Sequence, residues 1–401
     1  MRLRLIKQMI PRGKLDISYA DFLAGFGFCL QGFLKHEQGG KNSFRREDSL
    51  VCLSVRSGFD LVLQALNLPP GSEILVTDIS IPGMFQILAA HQIRAIPLAV
   101  NKHNLSVSVT EFEAAITESS KAAIFTHLFG GLMNLSELNV MAKAKGLLII
   151  EDCAQAYIGN DFAGKCASDI RMFSFGMIKT NTALSGALLY VRDAAFCEKL
   201  VLLQQTLPQQ SQHIYFKKLC LAFAIKLLTT PFIYALFYWF IVALGRDADD
   251  VLSGFTRGFP GANILEKIRF RPGFAIRRMI DRRLRKFRSS SIDLRRAFAL
   301  EILASIPDAC KIGAENEDHS FWVLPLEAKE PELLINLLRS KGFDATSKAS
   351  SLVKMPIVRA VKPDDLLLDN LVYLPMWPRM SKRKRAALIA VLNSAYTGQL
   401  L

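Results

Sequence analysis

Residues 149–180, IIEDCAQAYIGNDFAGKCASDIRMFSFGMIKT, place an acid near one end and a lysine near the other. Asp152 follows an apolar run that is typical of a buried strand, whereas Lys179 is flanked by Phe175 and Ile178. A lysine in apolar surroundings is costly to keep charged, so its pKa falls and its amine becomes a usable nucleophile or base. The pair therefore indicates chemistry that uses an amine and a carboxylate together.

Pyridoxal phosphate chemistry uses such a pair. The cofactor forms a Schiff base with a lysine amine, and its pyridinium nitrogen needs an acidic partner. An aspartate at the carboxyl end of a strand can supply that partner, because cofactors of α/β sheets bind beyond the strand ends. Acids at strand ends are common and a single lysine is usually a surface residue, so these two residues alone leave a structural role open for both.

An α/β fold would position the pair. Residues 50–200 alternate short apolar segments with amphipathic ones, which is a βαβ pattern. The apolar segments are continuous, as expected of a mostly parallel sheet that is covered on both faces. Helical spacing of apolar residues predicts helices between the strands, and Gly146 is expected to end one of them. We predict strands at 74–79, 94–100, 122–129, 147–152 and 186–191, and helices at 57–66 and 134–146.

The length and the charge of the chain narrow its class. A chain of 401 residues predicts two or three compact units with a large buried interior. Lysine and arginine total 50 against 36 acidic residues, which gives a formal net charge of +14. This excess predicts an anionic partner, and a membrane surface, nucleic acid and a phosphorylated substrate all fit it.

Seven cysteines occur without a CxxC pair, so we expect no zinc or other metal site and no disulfide framework. This fits a reducing cytoplasm. The basic N-terminal stretch reaches Pro11 and Gly13 without a long apolar run, so we expect no signal peptide in it.

An apolar insertion at residues 214–244, IYFKKLCLAFAIKLLTTPFIYALFYWFIVAL, interrupts the α/β pattern. From Leu219 to Leu244 the only charged residue is Lys226, and the length suits a membrane-spanning helix of about 20 residues. Pro231 divides it into two halves that are each too short to span, so a hairpin that re-enters or lies on the membrane fits as well. A buried helix pair in the core or in a dimer interface is the alternative.

Residues 267–296 are densely basic and include RRMIDRRLRKFR at 277–288. One reading is the solvated face of a helix. The other is attraction to anionic lipid headgroups, to which each basic residue contributes about 1 kcal/mol near the surface. The position after the apolar insertion favours the membrane reading. We expect no nucleic-acid binding, because the segment lacks interleaved aromatic residues and a known binding motif.

The stretch from IIEDCAQAYIG to FAGKCASDIRMFSFGMIKT resembles the DegT family of pyridoxal-phosphate aminotransferases, the sugar aminotransferases of fold type I. The family pattern is an apolar strand, E-D-x-A-Q-A-x-G-like residues, a gap ending in G-K-x-x-G/S, and S-F-x-x-x-K. Three further stretches agree with the family: SGFDLVLQAL at 57–66, THLFGGLMNLSEL at 126–138 and LVYLPMWPRMS at 371–381. The resemblance covers about residues 10–205 and 265–401.

The resemblance implies a fold type I α/β architecture. Residues 1–205 would form an N-terminal segment and a large cofactor-binding domain with a mostly parallel sheet. Residues 206–264 would hold the apolar helical insertion, which could contact a membrane. Residues 265–401 would form the basic helix and a smaller C-terminal α+β domain.

Residue roles follow from the same resemblance. Lys179 would form the Schiff base with pyridoxal phosphate and shuttle a proton, and Asp152 would pair with the pyridine nitrogen. Gln155 would hydrogen-bond near the phenolic oxygen or pack against the ring, and the Ser174 hydroxyl would contact the phosphate. Gly58, at a predicted helix N-terminus, would let backbone N–H groups approach the phosphate. Loop, cap and turn roles for the last three residues stay open.

His127 occupies the V-H position of the family at the end of a strand, where a packed structural histidine and a catalytic one are both open. His91, His103 and Glu151 are expected to make only solvent or supporting contacts.

Some positions depart from the family pattern. Phe59, which we place in the cofactor-binding set, stands where the family usually has a phosphate-binding threonine, and Ile81 stands where an aromatic ring usually stacks on the pyridine. Ser185 and Ala187 flank Gly186 where the family has E-G-G. The lost phosphate hydroxyl is expected to weaken cofactor binding by about 1 to 3 kcal/mol.

The function implied is a pyridoxal-phosphate-dependent aminotransferase that transfers an amino group from an amino acid such as glutamate to a keto-sugar, including a nucleotide-linked one, in polysaccharide biosynthesis. A homodimer is implied because family active sites are completed by a partner chain, although only RFRPGF at 269–274 resembles the expected N-x-R-like loop. We expect a cytoplasmic protein that is peripheral or monotopic at the inner, anionic face of the cell membrane. The alternative is a non-enzymatic scaffold or regulator of a membrane-associated glycan pathway, which the changed residues Phe59, Ile81 and Ser185 motivate.

Overall fold

A computed structural model describes residues 9–34, 48–159, 168–245, 249, 263–348, 351–377 and 380–401. Of the family-like sequence motifs, the G-K-x-x-G/S stretch falls mainly on residues outside these ranges. The other motif residues discussed below lie within them.

A seven-stranded sheet forms the centre of the molecule, in the order β1-β8-β7-β6-β5-β2-β4. Only β8 runs antiparallel to its neighbours, and the other strands are mutually parallel. The prediction of a mostly parallel α/β sheet is therefore confirmed. The strands are β1 (Ser49–Cys52), β2 (Glu73–Thr77), β4 (Arg94–Leu98), β5 (Ser120–Thr126), β6 (Leu148–Asp152), β7 (Ile170–Ser174) and β8 (Ala187–Val191), and the short β3 (Ile79–Ser80) lies outside this sheet.

Helices cover both faces of the sheet, which explains why the strands are continuously apolar. Successive strand residues point to opposite faces, so alternate residues of one strand enter different core clusters. One face packs against α2 (Val55–Leu66), α3 (Pro82–Ala90), α6 (Ala194–Thr206) and α9 (Ile264–Ile268). The other face packs against α1 (Tyr19–Leu34), α4 (Val109–Ala115), α5 (Ser136–Ala144), α7 (Gln212–Leu228) and α10 (Phe274–Lys286).

A second core cluster forms a smaller C-terminal α+β unit. Its two-stranded antiparallel sheet pairs β9 (Leu324–Glu327) with β11 (Leu371–Leu374), and β10 (Val353–Lys354) instead pairs with β3 of the large unit. Helices α11 (Ser290–Leu303), α12 (Pro331–Ser340) and α13 (Lys382–Thr397) complete this unit.

The basic segment divides between the two units. Helix α10, which carries RRMIDRRLRK, buries Ile276, Met279 and Ile280 in the core cluster under the large sheet. Helix α11 buries Phe298 in the small unit. The boundary between the large unit and the small unit therefore lies close to the turn between α10 and α11. The domain boundaries given in the sequence analysis stay predictions.

The apolar insertion forms two helices, α7 and α8 (Pro231–Ala243), which meet at an angle of 100°. Tyr215 and Leu219 of α7 are buried against α1 and α10, so the first half belongs to the core of the large unit. Helix α8 leaves this core and contacts the small unit, with most of its surface exposed. In the described part of the chain no single helix is long and apolar enough to cross a membrane, and only the bent pair α7–α8 has the required length and composition.

Candidate active site

The predicted acid and lysine lie at the same edge of the central sheet. Asp152 is the last residue of β6, and Lys179 lies in the loop that joins β7 to β8. Because β7 runs parallel to β6, the carboxyl ends of both strands point to this edge. The fold thus brings Asp152 and Lys179 close enough for each charge to act on the other.

The Lys179 amine has an unusually low pKa. Removal from solvent lowers the pKa to about 8; the charge of Asp152 opposes this shift, and that of Arg56 adds to it. The amine nitrogen also lies 4.1 Å from the centroid of the Trp322 ring. An amine with this pKa is about half deprotonated near pH 8, whereas an ordinary lysine is almost fully charged there.

Asp152 is a buried carboxyl group. Burial raises its pKa, and a hydrogen bond from the Ala154 N–H at 3.0 Å and the charges of Lys179, His127 and Arg56 act in the opposite direction. Among the described residues, no cation lies within 4 Å of this carboxylate in an ion pair. A buried carboxylate without a contacting cation is the partner that a cationic ring nitrogen would stabilise.

The loop around Lys179 is held by several hydrogen bonds. The Lys179 N–H donates to the Gly176 oxygen at 3.0 Å, and the Thr182 hydroxyl donates to the same oxygen at 2.6 Å. Asn181 adopts a left-handed conformation (φ 56°), and its N–H donates to Asp16 at 2.6 Å. These contacts fix the direction in which the lysine leaves the backbone.

Gln155 and Ser174 lie at the same edge. The Gln155 side-chain oxygen accepts a hydrogen bond from the Phe129 N–H at 2.9 Å, so this buried amide supports the loop after β5. Ser174 ends β7, and its hydroxyl oxygen accepts from the Gly176 N–H at 3.3 Å. Both side chains are placed beside the Asp152–Lys179 pair, and their contacts with a cofactor stay predictions.

Gly58 serves the packing of α2. Its N–H donates to the Ser54 oxygen at 3.0 Å, as the fourth residue of the helix. A Cβ atom at Gly58 would come within 2.5 Å of Leu189 in β8, so the glycine lets α2 lie close to the sheet. Phe59 is fully buried in the core cluster between the sheet and α2. The contacts of Gly58 and Phe59 with a cofactor stay predictions.

Glu151, the other acid of the E-D motif, belongs to a separate buried cluster. Glu151 accepts from His127 Nε2 at 2.8 Å and also from the Ser168 hydroxyl. His127 Nδ1 accepts from the Met133 N–H at 2.9 Å, so the proton of the neutral ring is on Nε2. Both ring nitrogens of His127 are therefore engaged by the protein, which fits the packed structural role. Cys153 lies beside them, and these three side chains already have partners or burial without an ion.

Residues 37–229 match the sequence profile of the DegT/DnrJ/EryC1/StrS aminotransferase family. The matched residues make up slightly less than half of the chain. The resemblance inferred from the motifs is thereby confirmed.

Similar proteins agree with this assignment. GDP-perosamine synthase of Escherichia coli O157:H7 is 31% identical over 147 residues, which cover 35% of this chain and 39% of that protein. The chain spans about half or less of the length of the curated relatives that it matches.

Solved structures show the same fold over almost the whole chain. The structure of DesV from S. venezuelae has a TM-score of 0.67 at 16% identity and covers 97% of this chain and 98% of DesV. That of the E. coli GDP-4-keto-6-deoxy-D-mannose-3-dehydratase has a TM-score of 0.67 at 17% identity, with coverage of 96% and 100%. The dehydratase structure contains pyridoxal phosphate. Fold type I is therefore confirmed for both units, and DegT-family enzymes of more than one reaction type share it.

The departures from the DegT pattern lie at defined places. Ile81 precedes the first turn of α3 and packs partly buried against the same core cluster as Phe59. The Ser185 hydroxyl oxygen accepts from Lys218 Nζ at 3.3 Å, which links the loop after Lys179 to α7. Gly186 has φ 98°, and a Cβ atom there would lie 2.4 Å from Ile280 of α10. Helices α7 and α10 are thus packed against the loop that follows Lys179.

His91 and His103 each contact an acid. His91 Nε2 lies 2.8 Å from Asp60, which also accepts two hydrogen bonds from Arg269 in the RFRPGF segment. His103 Nε2 lies 3.2 Å from Asp364. The segment proposed as the remnant of a partner loop is therefore attached to α2 of its own chain.

Two residues of the site were missed by the sequence analysis. Arg56 lies in the first turn of α2, and its charge acts on both Asp152 and Lys179. Trp322 lies just before β9, and its ring faces the Lys179 amine while its Nε1–H donates to the Ile178 oxygen at 3.1 Å. Arg56 stands directly before the family-like stretch SGFDLVLQAL at 57–66, and this position was the sequence signal that could have identified it. Trp322 had no local sequence signal.

Proposed function

We propose that the protein is a pyridoxal-phosphate-dependent aminotransferase that acts on a keto-sugar, including one linked to a nucleotide, with an amino acid such as glutamate as donor. The observation that carries the proposal is the Lys179 amine of pKa about 8 beside the buried Asp152 carboxylate at the carboxyl edge of the sheet. The similarity to GDP-perosamine synthase supports the sugar substrate.

The residues present fit pyridoxal phosphate. Asp152 is a buried acceptor that a protonated ring nitrogen would stabilise, and Lys179 is an amine removed from solvent at the same edge of the sheet. The first turn of α2 adds the N-terminal end of a helix dipole and the Arg56 side chain, both of which favour a phosphate. Lys179, Asp152, Arg56 and Ser174 would hold the cofactor.

When bound, the cofactor withdraws electrons from the carbon that carries the amino group. The protein has to supply binding, orientation and a proton carrier at that carbon. Lys179 can hold or release a proton near neutral pH because its pKa is about 8. Trp322 and the hydrogen-bonded loop restrict where its amine can move. Asp152 would supply the acceptor for the ring nitrogen of the cofactor.

Cofactor attachment is the first test. The purified full chain is incubated with excess pyridoxal phosphate and reduced with borohydride, and the modified peptide is identified by mass spectrometry. The expected result is one pyridoxyl group on Lys179, absent from Lys179→Ala and present in a control with an exposed lysine replaced, Lys286→Ala. Failure to label Lys179 in the wild type would overturn the proposal.

The reaction type is the second test. Bound cofactor should convert to its amine form when glutamate is added and return when a nucleotide-linked keto-sugar follows. If glutamate converts the cofactor to its amine form but the keto-sugar does not restore it, glutamate would stay supported as the donor, and nucleotide-linked keto-sugars would be refuted as acceptors. No conversion with any amino acid would favour the scaffold alternative, and loss of a sugar hydroxyl without net amino transfer would favour a dehydratase like the E. coli structural relative.

A further inference from the structure

Helix α8 has an inverted polarity. A helix on the surface of a soluble protein usually turns polar side chains outward, but the outward arc of α8 is apolar. Apart from Val242 (46% exposed), its large exposed apolar residues fall, at 100° per residue, within one arc of about 140°. They are Phe232 (62% exposed), Ile233 (42%), Leu236 (46%), Trp239 (49%), Phe240 (56%) and Leu244 (58%), the last following the helix directly.

The polar atoms of α8 face the protein instead. The buried Tyr234 hydroxyl donates to Asp344 at 2.5 Å, and Asp344 is also held by Arg12 at 2.7 Å. The ring of Tyr238 lies 5.9 Å from the guanidinium carbon of Arg339. Rotating α8 to bury its apolar arc would break the contacts of a buried carboxylate, so the outward direction of the arc is fixed by the structure.

Helix α8 is too short to cross a lipid bilayer by itself, and its length suits a position parallel to the bilayer surface. Its 13 residues extend about 20 Å, which is shorter than the hydrocarbon layer of about 30 Å. The other half of the bent pair, α7, is tied to the large unit: Tyr215 donates to the Ala183 oxygen at 2.9 Å and Lys226 to the Leu15 oxygen at 2.9 Å. An apolar arc on a short helix with tyrosine and tryptophan is typical of an interfacial helix.

The charge around this face favours an anionic surface over a protein partner. Helices α1, α7 and α8 contain a single acidic residue, Asp21, which is buried and paired with Arg282 and Arg283. Helix α7, which adjoins α8, carries the exposed Lys217, whereas the Lys218 amine donates to Ser185. The face thus combines exposed apolar residues with an exposed cation on the adjoining helix and no exposed carboxylate on these three helices.

We propose that the outward arc of α8 binds the surface of an anionic lipid bilayer, with the helix lying parallel to that surface. The six arc residues enter the boundary between headgroups and acyl chains, and the exposed Lys217 of α7 contacts the headgroups. This inference is independent of the proposed catalytic function, since α8 contributes no residue to the Asp152–Lys179 site.

The test uses the full chain and vesicles. Cosedimentation is measured with phosphatidylcholine vesicles and with mixed phosphatidylcholine–phosphatidylglycerol vesicles. The wild type should bind the mixed vesicles more tightly and lose that preference at high salt. The double variant Trp239→Ser, Phe240→Ser should bind about tenfold more weakly or worse. The matched control Leu300→Ser, Leu333→Ser, which changes two exposed apolar residues of α11 and α12 (50% and 54%), should bind like the wild type.

A second measurement locates the contact. Lipids with brominated acyl chains should quench tryptophan fluorescence in the wild type, and Trp239→Phe should remove most of the quenching. Equal binding of the two double variants, or no binding by the wild type, would overturn the proposal. A fall in oligomeric mass of the Trp239 and Phe240 double variant in sedimentation velocity, without any lipid binding by the wild type, would instead assign the arc to contact with a second copy.

Discussion

The charge state of Lys179 provides the sharpest test of the site. Three influences set its pKa of about 8: removal from solvent, which lowers the pKa most strongly, the Asp152 carboxylate, which raises it, and the Arg56 guanidinium, which lowers it. The two charged neighbours therefore act in opposite directions. Removing one at a time should move the Lys179 pKa in opposite directions as well.

The size of each shift can be bounded. An opposite charge within a few ångströms shifts a pKa by about 1 to 3 units, and one unit corresponds to about 1.4 kcal/mol. Burial is unchanged in Asp152→Asn, so the Lys179 pKa should fall from about 8 by on the order of one unit. Arg56 contributes less than Asp152, so Arg56→Gln should raise the pKa by a smaller amount.

Competitive labelling measures this pKa without a cofactor. A trace amount of acetic anhydride reacts only with deprotonated amines, and the labelled fraction of the Lys179 peptide is followed against pH by mass spectrometry. The exposed Lys286 in the same sample corrects for reagent loss. The midpoint for Lys179 should lie near pH 8 in the wild type, lower in Asp152→Asn and higher in Arg56→Gln.

Two results would refute this account. If both variants shift the midpoint in the same direction, the charges do not act on Lys179 as the structure places them. If neither shifts it, burial alone sets the pKa, and Asp152 is then too remote to share one cofactor with the lysine. Circular dichroism of each variant shows whether the fold is retained before the midpoints are compared.

Three further outcomes are expected. Gly130→Ala should destabilise the fold by about 2 kcal/mol or more, because Gly130 has φ 102° and a Cβ atom would lie 2.6 Å from the backbone nitrogen of Trp322. Urea denaturation measures this loss. Tyr234→Phe should lower the free energy of unfolding by about 1.5 to 3 kcal/mol, because it removes a hydrogen bond to buried Asp344, and an unchanged urea midpoint would contradict it. Burial and two neighbouring arginines lower the pKa of His319 to about 3, so the unfolded chain binds a proton that the folded chain does not, and stability falls as pH drops below about 6.5. Between pH 7 and 5 this contributes a loss of about 2 kcal/mol, which His319→Gln should abolish in paired urea titrations.

Much of the large unit was predictable because its signals are local. A run of apolar residues that ends in an acid indicates a covered strand, and β6 ends at Asp152 as the pattern predicts. The strand of residues 186–191 was also predicted, but its antiparallel direction was not. Strand direction depends on the length and course of the connection, which apolarity does not encode.

The rest of the site depends on contacts between distant segments. Trp322 lies far along the chain from Lys179, and no local sequence signal places its ring beside that amine. Gly58 shows a related limit: the sequence places a glycine near a helix N-terminus, but it does not show the close approach of that glycine to Leu189 of β8. This contact depends on the position of a neighbouring strand, which the local sequence does not encode.

The replacement of the family threonine by Phe59 changes how the protein could bind the cofactor phosphate. A phenylalanine buried under α2 cannot donate a hydroxyl hydrogen bond to a charged phosphate, so a contact worth about 1 to 3 kcal/mol is lost. Arg56 stands in the first turn of the same helix, where burial lowers its pKa and the Asp152 charge opposes that change. A phosphate beside Arg56 would favour the charged guanidinium and make a charge-assisted contact of about 1.5 to 3 kcal/mol. The loss at Phe59 and the gain at Arg56 are of similar size, so the sequence departure at Phe59 does not by itself argue against cofactor binding.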